Sequence, residues 1–410
     1  MTGRMWPARE SGVDIVCFSS IDWDFVWQAP QAIMTALARQ GHRVLFVEST
    51  GARVPWVRDW RRLLQRLRNR CRGHGGFRLE RERLVVFSPL ALPLPYARAA
   101  CRLNRGLLTR ALRRFLRGAD ALNPVAWVFL PTPLTCELAR DLGPVVTVYH
   151  GLDDIAASSE AARRLAQAEA ALFASADLVF VSSERLRQRA MQYRDQAHFV
   201  PAGVDFALFD ALRRRAEPAP AELQGLPRPV FGYVGGVHRW FDQELVARVA
   251  VTLPEASFVV VGPLLEDVSR LAGCSNVHLL GRRPHASLPR YIGAFDAGLI
   301  PYRLTEYTAS VYPSKLNEYL AMGIPVLATG LPELRRFNAE HGEMVTIADT
   351  ADAFAVGLRR AVAERSAVDV ARRVEVARQN SWDARLGLLS GLLEAALRDR
   401  TATSRSPLPG

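Results

Sequence analysis

Lys315 is the only lysine in this chain, and 52 of its 53 lysine and arginine residues are arginine. It stands in Pro313-Ser314-Lys315-Leu316-Asn317-Glu318. Pro and Ser suit the opening positions of a helix, so Lys315 is expected in a first turn, beside free backbone N–H groups. A compact, strongly hydrated ammonium suits a phosphate in a tight pocket better than the larger guanidinium fork does. Glu318 lies on roughly the same face, three residues on, and can accept two hydrogen bonds from a ribose diol. The same spacing also fits a surface ion pair between the two, which is worth little. Gly235-Gly236 closes an apolar run, Val230–Val234, and a glycine pair at the end of a strand lets backbone approach a phosphate. Arg239 follows within reach of a diphosphate, or equally stands as a solvated loop residue.

Two acidic clusters follow other apolar runs. Asp22-Trp23-Asp24 comes just after Val13–Phe18, where open parallel sheets collect ligands. Asp22 or Asp24 is therefore a candidate for binding a substrate (an acceptor, if the reaction is a group transfer) or for general base, provided it reaches the proton it would take. The D-x-D form also suits a metal-bound diphosphate, but so short a match recurs by chance. Tyr149-His150-Gly151-Leu152-Asp153-Asp154 follows a second run. His150 is a candidate for orienting a substrate or for a base, because imidazole titrates near neutrality. Asp153 or Asp154 equally suits a helix cap. The five cysteines show no paired spacing, so neither a zinc site nor a disulfide framework is expected.

These residues need a frame. Short apolar runs alternate with amphipathic stretches along all 410 residues, the pattern of an α/β chain with parallel sheets and two or three domains. Strands are expected at Val13–Phe18, Arg43–Val47, Leu84–Phe87, Ala126–Leu130, Val145–Tyr149, Leu178–Val181 and His198–Val200, with helices at Gln31–Arg39 and Glu160–Ser175. After a Pro/Ala-rich linker around Ala216–Pro229, a second series begins at Val230–Val234. It continues through Ser257–Val261, Val277–Leu279, Ala297–Ile300, Pro325–Ala328 and Met344–Ile347. From Ala351 to about Asp399 the pattern is helical, and the polar tail Thr401–Gly410 is expected to be disordered. No leader peptide and no apolar run of about 20 residues is apparent, so a cytoplasmic chain with at most peripheral membrane contact is expected.

The formal charge of +12 is concentrated. Residues 53–118 hold 18 arginines against Asp59, Glu80 and Glu82, a local +15, which leaves −3 elsewhere. Trp56–Cys71 wound as a helix puts Trp56, Val57, Trp60, Leu63, Leu64 and Leu67 on one arc, with Arg61 and Arg62 on the other. Arg98–Arg117 repeats the design: Leu107, Leu108, Ala111, Leu112 and Phe115 share one side, Arg102, Arg105, Arg113 and Arg117 the other. Tryptophan and arginine on such helices suit an anionic membrane surface. The apolar faces fit packing against the first domain as well.

The segment Pro313–Val326 resembles the nucleotide-sugar segment of GT-B glycosyltransferases, close to family 4. Val200-Pro201-Ala202-Gly203-Val204-Asp205 is similar to that superfamily's P-N-G-V-D interdomain signature. Asn276-Val277-His278-Leu279-Leu280-Gly281 followed by Ala297-Gly298-Leu299-Ile300-Pro301-Tyr302 matches its N-V-x-x-x-G … D-x-x-x-x-P order. Cys17–Phe25 and Arg239-Trp240-Phe241-Asp242 resemble a teichuronic-acid-type subgroup. The resemblance implies two Rossmann-like domains facing across a cleft: residues 1–203 for the acceptor, carrying the insert 53–118, and residues 204–380 for the nucleotide sugar. A helix over 381–400 would cross back, with 401–410 as a tail. It implies that Glu318 binds the donor ribose and that Gly235, Gly236, Arg239 and Lys315, with Ser314 beside them, handle the diphosphate. One position departs from family 4: where many members carry a glutamate eight residues before the ribose glutamate, this chain has Ser310.

The expected activity is transfer of a sugar, hexosyltransferase-type, from a nucleoside diphosphate sugar to a lipid-linked or polysaccharide acceptor in bacterial envelope or exopolysaccharide synthesis. The protein would work at the inner face of the plasma membrane, with no essential metal and no nucleic-acid partner. The alternatives are an epimerase or hydrolase of the same fold, or a non-catalytic membrane- or nucleic-acid-binding protein.

Overall fold

The computed structural model describes residues 6–7, 12–50, 75–92, 98–158, 161–215, 217–364 and 366–405. Two compact units emerge: Met1–Val200 with Leu386–Gly410, and Pro201–Arg385.

The first unit is built on an eight-stranded sheet. Its strands are β1 (Asp14–Phe18), β2 (Arg43–Val47), β3 (Phe77–Arg81), β4 (Leu84–Phe87), β5 (Val125–Val128), β6 (Val146–Gly151), β7 (Leu178–Val181) and β8 (His198–Phe199). The order is β3-β4-β2-β1-β5-β6-β7-β8. The central strands are buried along their whole length and almost entirely apolar, as a parallel sheet covered on both faces requires. β3 was not expected. It runs antiparallel to β4 at the sheet edge, with only Phe77 buried, and its Phe-Arg-Leu-Glu-Arg sequence reads as part of the basic insert. The Arg98–Gly118 helix packs on this unit, whereas Trp56, Trp60, Arg61, Arg62 and the rest of Trp56–Cys71 lie outside the described residues.

The second unit has six parallel strands: β9 (Val230–Val234), β10 (Ser257–Val261), β11 (Val277–Gly281), β12 (Ala297–Ile300), β13 (Val326–Ala328) and β14 (Val345–Ile347), in the order β11-β10-β9-β12-β13-β14. In both sheets the order reverses beside the first strand, between β1 and β5 and between β9 and β12. Loops at the C-terminal ends of those strands form the crevice where such sheets bind ligands.

The boundaries differ by a few residues from those expected. Residues 201–203 belong to the second unit because Asn317 Nδ2 donates to the Ala202 carbonyl (2.8 Å) and Val204 bridges Ser381. The Trp382–Arg405 helix starts in the second unit, and from Leu386 onward it belongs to the first, where Ser390 bonds to Gln40 (2.8 Å). Its last turn takes in Thr401–Arg405, so the tail expected to be disordered is helical up to Arg405. Glu160–Ser175 is likewise not one helix: a 3-10 turn, Ala161–Leu165, leads into Ala166–Ser175.

Tyr319 locks the strands that carry the second-unit crevice. Its Oη accepts from the Val234 N–H (2.9 Å) and donates to the Leu299 carbonyl (3.3 Å), tying β9 to β12. Its ring lies where Gly298 lacks a side chain, since a Cβ there would sit 2.5 Å from a ring carbon. Gly298→Ala should therefore lower the unfolding free energy by about 1–3 kcal/mol through overpacking, and Tyr319→Phe by about 1–2 kcal/mol through the orphaned Val234 N–H. Urea denaturation read by circular dichroism checks both, and an unchanged midpoint for Gly298→Ala would show that the ring is free to move.

Candidate functional site

In the second unit the sequence candidates converge at the ends of β9 and β12. β9 leads into Gly235, at φ +139°, where a Cβ would come within 3.2 Å of Lys315 Cε. The Lys315–Ala321 helix buries its lysine to 7% exposure. The ammonium lies 5.1 Å from the Tyr233 ring centroid and 4.7 Å from that of Tyr302, and donates to Tyr302 Oη (2.5 Å). Tyr302 Oη is its one hydrogen-bond partner among the described residues, so two of its three donors stay available. Tyr302 is itself fixed by Thr329, whose Oγ1 accepts from the Tyr302 N–H (3.1 Å) and donates to its carbonyl (2.6 Å).

Two expectations need correction. The first turn does not offer a row of free N–H groups: Leu316 N donates to Pro313 O (3.0 Å) and Asn317 N to Ser314 O (3.2 Å). Ser314 has helical dihedrals, is exposed, and its hydroxyl makes no cap bond. Nor do Lys315 and Glu318 pair with each other, because Lys315 turns to Tyr302 and Glu318 to His285, with Nε2 and Oε1 3.3 Å apart.

Arg239 is exposed and stacks its guanidinium 4.6 Å over Trp240, which stacks in turn on Tyr307 at 4.0 Å. Gly236 faces Pro263 and Leu265. His238 packs against Trp240 and Tyr302, at 5.0 and 5.7 Å between ring centroids. Burial, then Lys315 and Arg239, hold its imidazole down to about 4, so it is neutral near pH 7.

In the first unit His150 is 1% exposed, stacked 5.2 Å from Phe129 and flanked by Phe180 and Trp127. Burial pushes it down to about 3, and the Val200 backbone offsets only part of that. The expectation that it titrates near neutrality is therefore wrong: His150 is a neutral imidazole, and neither ring nitrogen has a well-formed hydrogen bond. That leaves it suited to orienting a hydroxyl rather than to taking a proton.

The carboxylates divide by partner. Asp24, half exposed, pairs with Arg78 (3.1 Å). Arg78 also meets the buried Glu48 (3.4 Å), which accepts from the Trp23 N–H (3.1 Å) and so shapes the Asp22–Asp24 loop. Asp154 accepts from Ala157 N (3.1 Å) and pairs with Arg189 (2.8 Å), making it the cap. Asp153 has no side-chain partner among the described residues, and burial, then Asp154, raise it to about 6. No group of three or more metal-ligating side chains occurs among the described residues.

The Arg98–Gly118 helix corrects the simple two-sided reading. Leu108, Leu112 and Leu116 form the buried stripe, but Leu103 and Leu107 are 52% and 50% exposed. Asp141 holds Arg105 by two bonds (2.6 and 2.7 Å), and its carbonyl accepts from Arg113. Arg102, Arg110, Arg114 and Arg117 line the same groove of about 610 Å³.

His285, Tyr233, Tyr302 and Asp153 were not singled out as site residues by sequence. Tyr302 and Tyr233 carried a signal, since both lie at strand C-terminal ends beside the glycine turn and the lysine. His285 carried none, because 33 residues separate it from Glu318.

Comparison with known proteins bears on this geometry. The model described as Glycosyltransferase Family 4 matches residues 31–208, and that described as Glycosyl transferases group 1 matches residues 228–364. The chain belongs to the family 4-like glycosyltransferases. A relative from Bacillus subtilis (strain 168), TuaH, whose name places it with teichuronic acid biosynthesis glycosyltransferases, is 29% identical over 179 residues. That match covers 42% of this chain and 45% of TuaH, under half its length. Among solved structures, sucrose-phosphate synthase from Thermosynechococcus elongatus aligns at TM-score 0.67 and 17% identity, covering 94% of this chain and all (100%) of that one. Anabaena Alr3699/HepE in complex with UDP-glucose aligns at TM-score 0.61 and 15% identity, covering 93% and 99%. Both show that this glycosyltransferase has the GT-B fold.

The His150 pocket makes a pH prediction. The folded-state value lies below that of the unfolded chain, near 6.5. On acidification the unfolded chain takes up the proton first, so stability contributed by neutral His150 is present above about pH 6.5 and is lost as pH falls towards 3. His150→Phe should lose less stability than wild type between pH 7 and pH 5 in urea melts. Equal losses would mean that the ring is solvated.

Proposed function

We propose that this glycosyltransferase moves a sugar from a nucleoside diphosphate sugar to a lipid-linked or polysaccharide acceptor in assembling a bacterial envelope or exported polysaccharide. The observation that carries this reading is the buried Lys315 ammonium, caged by Tyr233 and Tyr302 against the bare backbone of Gly235, with Glu318 one turn away. Desolvation strengthens its pull on an anion. Anabaena Alr3699/HepE forms complexes with UDP-glucose and with UDP, and the Bacillus subtilis relative bears the name of a teichuronic acid biosynthesis glycosyltransferase.

In the proposed reaction the acceptor oxygen bonds to the sugar's anomeric carbon as the bond from that carbon to the diphosphate breaks. The electron pair leaves on the diphosphate, where Lys315 and Arg239 meet it without calling on a metal. Glu318 holds the ribose, and Gly235, Gly236 and Ser314 border the phosphates. His150 offers a neutral imidazole to a sugar hydroxyl. The hydroxyl proton goes to a carboxylate. Asp24 and Asp154 are held by arginines, whereas Asp153 has no side-chain partner among the described residues, which favours Asp153 over those two as the base; Asp22 stays a candidate through its place after β1.

The proposed acceptor and location are supported by the Arg98–Gly118 helix. Asn104 ties Leu92 to this helix through two bonds (2.8 and 3.1 Å), bringing a third exposed leucine beside Leu103 and Leu107. Arg102, Arg110, Arg114 and Arg117 have no acidic partner among the described residues, and arginines four apart repel each other. Arginine with exposed leucine fits an anionic bilayer at the inner face of the plasma membrane. Nucleic acid would leave the leucines without a phase to enter.

Purified protein with a membrane extract should release nucleoside diphosphate from at least one of UDP-, GDP- and ADP-sugars. Lys315→Arg should reduce turnover by about tenfold or more and Lys315→Ala further, since a charge-assisted contact to the leaving group is worth about 1.5–3 kcal/mol. Wild-type kinetics in Lys315→Arg would remove the lysine from the mechanism. Separately, the protein should sediment with anionic but not neutral liposomes, and Arg110→Glu/Arg114→Glu should weaken that by about tenfold or more. Tight binding to duplex DNA without liposome binding would overturn the membrane reading.

A further inference from the structure

The His285–Glu318 contact joins the Lys315 turn to the loop after β11. His285 opens a short 3-10 turn, His285–Ser287, four residues beyond Gly281, the last residue of β11. One side of its ring meets Phe209 at 5.9 Å between centroids, and Nε2 lies 3.3 Å from Glu318 Oε1. Both side chains are largely buried.

We propose that His285 is a positioning residue for the nucleotide donor: in its protonated form it holds the Glu318 carboxylate aimed, so that donor affinity falls as His285 gives up its proton. This rests on the reading of Glu318 as the ribose carboxylate and adds to it a partner and a pH dependence.

The bonding capacity of the pair allows both tasks at once. A carboxylate has about four acceptor positions. One imidazolium on Oε1 leaves Oε2 and a further position on Oε1 for the two hydroxyls of a ribose. His285 therefore fixes the rotamer of Glu318 without occupying its ligand face. The neighbours favour the charged ring. Glu318 faces it from the lysine's helix and Asp205 from the segment preceding the Phe206–Arg215 helix, while Phe209 contributes no charge. Arg283, on the same loop, is engaged with Glu222 (3.0 Å) and Tyr291 (2.9 Å). Burial pulls the imidazole down, but the two carboxylates outweigh it and leave it above the usual histidine range. When the proton is lost, a charge-assisted bond becomes an ordinary one of roughly half the strength, and Glu318 is freer to leave its aimed rotamer. The nearby His238 does not confuse the profile, because it is already neutral above about pH 4.

The test uses the full-length protein and nucleoside diphosphates without sugar, so that neither the sugar nor the acceptor need be known. UDP, GDP and ADP are titrated calorimetrically between pH 6.5 and pH 9 into wild type, His285→Gln and His285→Ala. For whichever diphosphate binds wild type, Kd should rise by about three- to tenfold across that range. In His285→Gln it should be flat and close to the high-pH wild-type value. In steady-state assays His285→Gln should raise KM for the donor at pH 6.5 and leave kcat unchanged. The His285 ring signals in a proton–carbon spectrum should titrate above the ordinary histidine midpoint in wild type and return towards it in Glu318→Gln. Circular dichroism shows whether each variant is folded, and His285→Gln keeps the inference testable if His285→Ala is not. A diphosphate that binds with the same pH slope in wild type and His285→Gln overturns the His285 inference and leaves the donor site standing. Failure of all three diphosphates to bind wild type overturns the donor site itself.

Discussion

A buried ammonium between two phenol rings is the constraint on which the second unit turns. Removing a cation from water is costly unless something replaces the lost hydration. Two ring faces and one hydroxyl replace part of it. The surrounding sequence makes that arrangement possible. Gly235 has no side chain to crowd Lys315, and its positive φ is open to glycine. Thr329 fixes Tyr302 from the end of β13, and Tyr319, one turn beyond Lys315, clamps β9 to β12. Strand order, glycine placement and aromatic packing therefore answer to one charge with two donors left over. In the proposed reaction a departing diphosphate supplies the missing anion.

Charge in the first unit is handled in the opposite way. Arginines neutralise most of the acids at the strand ends: Arg78 takes Asp24 and Glu48, and Arg189 takes Asp154 together with Glu169. Glu169 also accepts from the buried Tyr149 hydroxyl, so that network braces β6 from beneath. Beside it, without a side-chain partner among the described residues, stand a neutral imidazole and one carboxyl with a raised affinity for its proton. Structural ion pairs thus separate scaffold acids from those available for chemistry, a sorting visible only once side chains have partners.

This explains what could be read from sequence and what could not. The strands were legible because parallel strands buried along their whole length are almost entirely apolar, and Val230–Val234, Ser257–Val261 and Ala297–Ile300 match the observed elements residue for residue. Lys315 and Glu318 were legible because helical spacing is local. The fate of each side chain was not, because it depends on contacts far apart in the chain: Lys315 pairs with Tyr302 rather than Glu318, and Glu318 with His285. β3 escaped because an edge strand need bury only one residue. His150 was expected just past a strand but lies within β6, and its chemistry was misjudged because its acidity depends on Phe129, Phe180 and Trp127 closing around it.

The same reasoning accounts for the single lysine among so many arginines. Chance in an arginine-rich composition explains a rarity but not its address. Lys315 is buried, while the arginines of the Arg98–Gly118 groove are mostly exposed, where a planar fork can meet phosphates from several directions and its long stem can lie along apolar surface. Between the Tyr233 and Tyr302 rings, with Tyr302 Oη at 2.5 Å and the Gly235 backbone close to Cε, a fork with five N–H donors would have more hydrogen-bonding demand than the protein there supplies. An ammonium leaves only two donors to be met, and one diphosphate can meet both. The two kinds of cation thus divide between two kinds of anion site: a broad, wet surface for arginine and a small, dry one for lysine.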